Sequence, residues 1–453
     1  MLFVIGAAIP TPSPKRGRDK TRNSAMTDSK SDIAPALSAR GAATPWWYVP
    51  TLYFAEGLPY ILINSVSVLL YKRLGVDNAR IALWTSWLYL PWVLKMFWSP
   101  YVDMFFTKRK WAVYSQFAMA CALFLAAAVL PGKNFFFPSL LFLGVGAFIS
   151  ATHDVAVDGF YMLALTPERQ AFFTGVRSAF YRLAMITGSG LLVVAAGSLE
   201  IATGNSPLSW AAVLAGCAAV FLLLFVWHRI ILPSPETAER PSAEGRFSEI
   251  FNSYFSQKGV IGLVLFILFY RFAEAMLMKL AQPFLVDPRL AGGMGLTTSQ
   301  VGIAYGTVGV ACLVAGGLAG GWLISRYGLK KTLWPLALAM NLPDVFYVYM
   351  AYSRPPASSV FALVALEQFG AGLGFSAFTV CLMYACGEKY KTSHFAISTG
   401  IMAAGMMLPG MISGKIQQLA GYPLFFIIVC AAALPGMLTI FLLPASVAEK
   451  PAA

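Results

Sequence analysis

Charge is what this chain lacks. Only 12% of its 453 residues are Asp, Glu, Lys or Arg, where a soluble globular protein carries roughly a quarter. So little polar surface excludes an ordinary water-soluble globule. Histidine is scarcer still, with His153, His228 and His394 the only three. No nucleophile elbow and no metal-ligand spacing accompanies them, which sets an enzymatic reading aside. The six cysteines, Cys121, Cys217, Cys312, Cys381, Cys386 and Cys430, all fall in apolar stretches, and only Cys381 and Cys386 are close in sequence. They read as small buried hydrophobes rather than as a disulfide framework or metal site. No cofactor and no metal are expected.

Apolar sequence is present in quantity: 58% of residues are hydrophobic and the mean hydropathy is +0.68. Stretches of the ~20 residues needed to cross a bilayer recur along most of the chain. Turn and charge punctuation divides them into about twelve spans, at 46–71, 79–102, 111–131, 138–165, 171–196, 209–232, 259–286, 299–325, 333–352, 358–385, 393–417 and 421–444. The chain is therefore expected to be an all-α polytopic membrane protein. The longest polar connection, "LPSPETAERPSAEGRFSEIFNSYFSQK", separates the sixth span from the seventh and reads as a linker. The expected organisation is a tail at 1–44, a six-helix half at 45–232, a linker at 233–258, a second six-helix half at 259–444 and a short tail at 445–453.

The first tail opens "MLFVIGAAIP", too short for a span and followed rather than preceded by positive charge, the wrong order for a secretory signal. It reads as disordered, with translation expected to begin at Met26. With both termini inside, the inner loops hold 13 Lys and Arg, the outer loops seven, and the tail adds seven more inside. The positive-inside rule then puts both termini in the cytoplasm. The net charge of +13 is accordingly loop charge that orients spans, not a nucleic-acid surface.

The second span ends "WSPYVDMFFTKRK" and the eighth "GGWLISRYGLKK", each an apolar helix, a tight polar turn and a basic cluster on the inner side. Like features at like positions point to two six-helix repeats. The turns resemble the loop between the second and third helices of major facilitator transporters and its copy in the other half. That resemblance marks Asp103, Arg109, Gly321, Arg326 and Lys330 as gating-loop residues. The first copy lacks the usual glycines, whereas the second keeps Gly320, Gly321 and Gly328.

Five cations (Lys95, Arg177, Arg182, Arg271, Lys279) and six acids (Glu56, Asp154, Asp158, Glu274, Asp344, Glu367) fall inside spans. A charge near a bilayer centre costs a few kcal/mol or more, so such residues are paired, functional or both. Asp154 and Asp158 are four apart and share a helix face. A proton exchanged there could be carried during transport; alternatively each acid pairs with Lys95 or Arg182 and fixes helix packing. At 1.5 Å per residue Lys95 lies about 12 Å deep and Arg182 about 16 Å, comparable to the acid pair. His153 points about 100° away from Asp154, either titrating near neutral pH or donating to a neighbouring helix. Arg271 and Glu274 in "LFYRFAEAMLMKL" are three apart and again share a face. "ALEQFGAGLGFSAF" supplies Glu367 and Gln368, with glycines at 370, 372 and 374 that suit close helix packing. Arg177 and Lys279, nearer span ends, are expected to snorkel.

Six stretches, "FAEGLP", "LKMFWSPYVD", "SATHDVAVDGF", "YRLAMITGSGL", "LFYRFAEAMLMKL" and "LEQFGAGLGFSAFTVCLM", lie in both halves. Together they resemble the AmpG-type branch of the major facilitator superfamily, inner-membrane permeases for peptidoglycan fragments. The resemblance implies a major facilitator fold in a bacterial inner membrane, a monomer, and proton-coupled import by rocking of two halves around a central site. It places the fourth-helix acids on Asp154 and Asp158, the fifth-helix arginine on Arg182, the second-helix lysine on Lys95 and the tenth-helix glutamate on Glu367. Glu274 stands where Asp is common, and His153 where Gln is.

The implied roles are proton coupling for Asp154, Asp158 and Glu274, and charge balance for Lys95 and His153. Cargo contacts fall to Arg182, Arg271, Glu367 and Gln368, and Tyr161, Tyr181 and Tyr270 stand as candidates to stack on sugar rings. The wording "ATHD" and "DGFYMLAL" is similar to a subgroup associated with amino-sugar scavenging. The implied cargo therefore runs from GlcNAc-anhydroMurNAc and other muropeptides to MurNAc. Relatives of the branch that look like ferric-siderophore importers or acetyl-CoA carriers supply the alternatives. The partners implied are a small-molecule cargo, protons and the bilayer.

Overall fold

The structure is a computed structural model that describes residues 44–234, 246–386, 391–444 and 447. The expected tails at 1–44 and 445–453, except for residues 44 and 447, and the middle of the expected linker lie outside the described residues. The described residues form helices and no strand.

Among the described residues, nine helical segments are long and apolar enough to cross a membrane: Pro45–Arg73, Lys108–Val129, Phe136–Ala164, Phe172–Thr203, Ser206–Ile231, Val260–Val286, Thr298–Tyr327, Ala357–Tyr384 and His394–Leu442. The second and ninth expected spans are absent from that set because each is interrupted. A turn at Leu88 and Tyr89 splits the second into Asn78–Trp87 and Leu90–Met104. A 3-10 turn at Leu342–Asp344, built on Pro343, splits the ninth into Leu329–Asn341 and Val345–Ser353. The last two expected spans form one long run, but Gly421, at φ 71° and ψ 168°, turns the chain inside it; only glycine adopts that conformation without strain. The result, among the described residues, is twelve spans in two six-helix halves. The linker also carries structure, a helix at Arg246–Phe255 whose Phe251 ring stacks on Phe97 of span two at 6.1 Å.

The bundle has a terminal face, where span one begins and span twelve ends, and a far face opposite. Its apolar core is distributed unequally between them. Toward the far face one continuous cluster joins both halves, from Leu58, Leu69 and Trp210 to Phe284, Tyr347 and Phe426. Toward the terminal face each half has its own core, around Tyr53 and Phe160 in the first and around Phe266 and Phe378 in the second. Burial of apolar area therefore holds the halves together on the far side and leaves them separate on the terminal side.

Polar contacts reinforce the far-face seal. Lys72 pairs with Asp287 at 2.7 Å and donates to Asn78 Oδ1 at 2.8 Å. Asn78 Nδ2 donates to Gln417 and to Tyr422, at 2.8 and 2.9 Å, and the Tyr422 hydroxyl donates to Asp287 at 2.6 Å. On the other flank Glu200 of span five accepts from Thr298 of span eight at 2.6 Å while pairing with Arg73 at 3.0 Å. Spans five and eight cross through two π-helical turns, Thr187–Leu192 and Gly302–Gly309, a conformation common at functional sites. A Cβ on Gly306 would stand 1.8 Å from the Ser189 carbonyl oxygen, so the crossing requires glycine there.

Candidate functional site

Beneath the seal lies a cavity of about 150 Å³ between the halves. Span one contributes Glu56, Tyr60 and Asn64, spaced by four so that one helix face presents all three. Span two brings Tyr89, Trp92 and Lys95, and span four brings Asp154. Span seven breaks at Tyr270 and Arg271, between helices ending at Phe269 and starting at Phe272. The break carries Arg271 and Glu274 into the cavity wall, as discontinuous helices do at ligand sites of transporters. Spans eight and ten add Tyr305, Glu367 and Gln368, and spans five and eleven complete the wall with residues that include Tyr181 and Met402.

The charges are arranged in two clusters. On the first-half wall Lys95 forms an ion pair with Asp154. Glu56, 6% exposed, lies beside Asp154, and its Oε2 has no hydrogen-bond partner among the described residues. On the second-half wall Arg271 donates to both Glu274 oxygens at 2.6 Å, a bidentate fork, with its guanidinium 4.8 Å from the Phe375 ring centroid. Glu367 accepts from the Gln368 amide, at 3.0 and 3.2 Å, and is 4% exposed. Among the described residues no cation pairs with it. The cavity thus holds two compensated acids, Asp154 and Glu274, and two, Glu56 and Glu367, with weaker compensation.

The structure separates Asp158 from Asp154. One turn nearer the terminal face, Asp158 pairs with Arg177 at 3.1 Å and accepts from the Tyr53 hydroxyl at 3.0 Å, outside the cavity lining. Arg177 is accordingly no snorkelling residue: its guanidinium sits 4.4 Å from the Tyr53 ring and 5.1 Å from Tyr161. Arg182 is five residues on, about 140° around the helix, and neither lines the cavity nor pairs with a carboxylate among the described residues. Lys279 is also no snorkelling residue. It is 4% exposed, because span two covers it at the far-face seam.

His153 turns away from the cavity. Its Nε2 is 3.0 Å from the Gln116 amide, Gln116 Oε1 is 2.8 Å from His228 Nδ1, and His228 Nε2 is 2.8 Å from the Thr51 hydroxyl. That chain of complementary donors and acceptors ties spans one, three, four and six together. Of the three tyrosines singled out above only Tyr181 lines the cavity. Tyr270 donates to the Gly374 carbonyl at 3.2 Å and stacks on Phe378, while Tyr161 donates to the Gln170 carbonyl at 2.5 Å.

The gating-loop residues scatter. The Asp103 side chain lies outside the described residues. Arg109 donates to the Leu232 and Arg229 carbonyls at 2.8 and 2.7 Å, closing the end of span six in its own half. Gly321 and Arg326 ride the last turns of span eight, Arg326 over the Trp322 and Tyr327 rings. Lys330 opens span nine.

The sequence model of the BT1 family matches residues 56–279. The anhydromuropeptide permease of Escherichia coli K12 is 26% identical over 394 residues, 85% of this chain and 77% of that protein. A putative transporter AmpG 4 of Rickettsia conorii is 24% identical over 400 residues, 85% of this chain and 93% of that protein. The chain is similar to the AmpG-type permeases over most of its length. Solved structures agree on the fold. The nucleoside transporter NupG superposes with a TM-score of 0.68 at 14% identity, covering 87% of this chain and 97% of that one. A D-xylose–proton symporter superposes at 0.67 and 13% identity, covering 90% and 99%. The fold is therefore that of major facilitator transporters, and the chain is a multi-pass membrane protein similar to secondary transporters. The BT1 match begins at Glu56, in the cavity wall, and ends at Lys279, in the seam above it.

Proposed function

We propose that the chain imports peptidoglycan-derived amino sugars or muropeptides, GlcNAc-anhydroMurNAc and MurNAc among them, by proton-coupled alternating access across a bacterial inner membrane. It works as a monomer with both termini in the cytoplasm, which makes the sealed far face periplasmic. The observation that carries this reading is the cavity between the halves, with an acid-rich cluster on one wall, an arginine fork on the other and Tyr60, Tyr89, Trp92, Tyr181 and Tyr305 around it. Aromatic faces suit the apolar faces of sugar rings, and Arg271 suits a carboxylate, which MurNAc and muropeptides carry. The names of the relatives point to the same cargo class.

In this reading Asp154 exchanges the coupling proton in a group with Glu56 and Lys95, and Asp158 with Arg177 stands one turn closer to the cytoplasmic exit. Arg271 releases Glu274 to take the cargo carboxylate, and Glu367 with Gln368 binds sugar hydroxyls. The cavity, at about 150 Å³, is smaller than the roughly 300 Å³ and above of small-molecule sites, so cargo occupies it once these pairs rearrange.

Arg271→Lys is expected to raise the KM for MurNAc about tenfold while sparing the maximal rate, because an ammonium cannot reproduce the bidentate fork; concentration-dependent uptake measures both. The reading as a whole is tested with radiolabelled MurNAc and the anhydro-disaccharide in proteoliposomes under an inward proton gradient. Uptake that collapses with an uncoupler supports cargo class and energy source together. A correctly inserted protein that moves neither sugar sinks the cargo assignment and moves attention to siderophores.

A further inference from the structure

The far-face seam contains one cation that the transport scheme leaves without a task. Lys279 reaches from span seven toward span two, where its ammonium donates to Thr85 Oγ1 at 3.1 Å and lies 5.2 Å from the Tyr89 ring centroid. Thr85 gives its own proton to the Ile81 carbonyl at 2.7 Å, so it serves Lys279 purely as an acceptor. Span eleven closes the third side: a Cβ added to Gly410 would stand 3.3 Å from the lysine Cε. Lys279 is 4% exposed, and no carboxylate pairs with it among the described residues. The seam's other lysine, Lys72, differs on each point, since Asp287 at 2.7 Å and Asn78 at 2.8 Å both compensate it.

An ammonium has three N–H donors. At Lys279 one is satisfied by a neutral hydroxyl, and a ring face supplies a further modest attraction. Taking a charge out of water is costly, and partial compensation of this kind returns the cost only in part. The lysine stands where spans two, seven and eleven meet, and these surfaces must part when the far side opens. Opening restores water to the charge, whereas closing removes it.

We propose that Lys279 is a positioning residue for alternating access: an under-compensated cation built into the far-face seal that opposes the seal and sets how often the far side opens. The apolar core and the Lys72–Asn78–Tyr422–Asp287 network hold the face shut, and Lys279 keeps that closure from becoming permanent. The proposal depends on the two halves moving but on neither the cargo nor the proton.

The test reads opening directly rather than uptake. A Ser65→Cys reporter, in the cavity wall, is placed in a cysteine-free full-length chain and reconstituted in vesicles whose orientation is scored by a protease-accessible N-terminal tag. A membrane-impermeant maleimide added on the far side labels it at a rate proportional to the open population. Lys279→Met is expected to slow labelling at least roughly tenfold, the change produced by 1.4 kcal/mol in the opening equilibrium. Thr85→Asp, which supplies the missing counter-charge, is expected to slow it as well. The double variant, which strands the new acid, is expected to label faster than Lys279→Met alone. If Lys279 simply glues the seam, Lys279→Met labels faster and Lys279→Arg stays at the wild-type rate; that result, or no change in any variant, overturns the proposal.

Discussion

Asp154→Asn is expected to abolish proton-driven uptake while leaving cargo exchange between loaded vesicles largely intact. The cavity wall of the first half gathers two acids and one base, Glu56, Asp154 and Lys95. With all three ionised the group carries one net negative charge, and one added proton neutralises it. Such a group responds to proton occupancy with a change in the partners of Lys95, the kind of switch that couples a proton gradient to helix movement. Asparagine keeps the volume and a carbonyl acceptor but cannot exchange a proton. Net accumulation then falls on the order of 100-fold, whereas exchange, which needs no net proton movement, continues.

Two companion variants locate the effect. Lys95→Met leaves Asp154 and Glu56 side by side without their cation, and stranding a buried acid in this way is destabilising; reduced insertion and thermal stability are expected along with lost transport. Asp158→Asn is expected to lower uptake only a few-fold, because Asp158 lies outside the cavity lining and its arginine retains the Tyr53 and Tyr161 rings. Should Asp154→Asn accumulate cargo at the wild-type rate under a proton gradient, the coupling role fails. Glu56 and Glu367, the cavity acids with no ion pair among the described residues, then become the residues to examine.

The placement of these residues shows where sequence reasoning reaches and where it stops. Twelve spans were legible because hydrophobic length is a one-dimensional property. Spans two and nine, broken at Leu88–Tyr89 and at Pro343, passed as continuous because their apolar content is unchanged by a turn. That buried charges would meet was also legible, since isolated charge in a membrane is costly. The identity of the partners was not. Depth favoured Arg182 for the acid pair and left Arg177 to snorkel, but the partner of Asp158 is Arg177, and the choice rests on which side of span five faces span four, which depth along the axis does not encode. Glu56, Tyr60 and Asn64 repeat every four residues, a signal that was present in the sequence but that only the cavity gives meaning to. Lys279 was misread for a related reason. Its distance from the span end suits snorkelling, but the side chain points into the seam between halves, and that seam exists only in the assembled bundle.

Gly306→Ala is expected to reduce transport on the order of 100-fold without reducing the amount of inserted protein, an effect opposite to what local propensity alone would give, since Ala favours helix over Gly by roughly 1 kcal/mol. The loss comes from the crossing of spans five and eight. An added Cβ would stand 1.8 Å from the Ser189 oxygen, 2.1 Å from its carbonyl carbon and 2.5 Å from the Gly190 nitrogen. All three are backbone atoms and none can swing aside, so the spans must separate, and the separation propagates to the Thr298–Glu200 contact beyond it. The far face then no longer seals, and the alternating cycle loses one of its two end states. Two substitutions bracket the effect. Gly190→Ala meets first the Thr307 side-chain oxygen at 2.4 Å, which a rotamer change relieves in part, so a smaller loss is expected. Gly175→Ala meets nothing within 4 Å and is expected to transport like the wild type. Labelling of the Ser65→Cys reporter from the far side gives the independent check: it should rise in Gly306→Ala, and wild-type labelling together with wild-type transport would show that the cycle never requires spans five and eight to approach this closely.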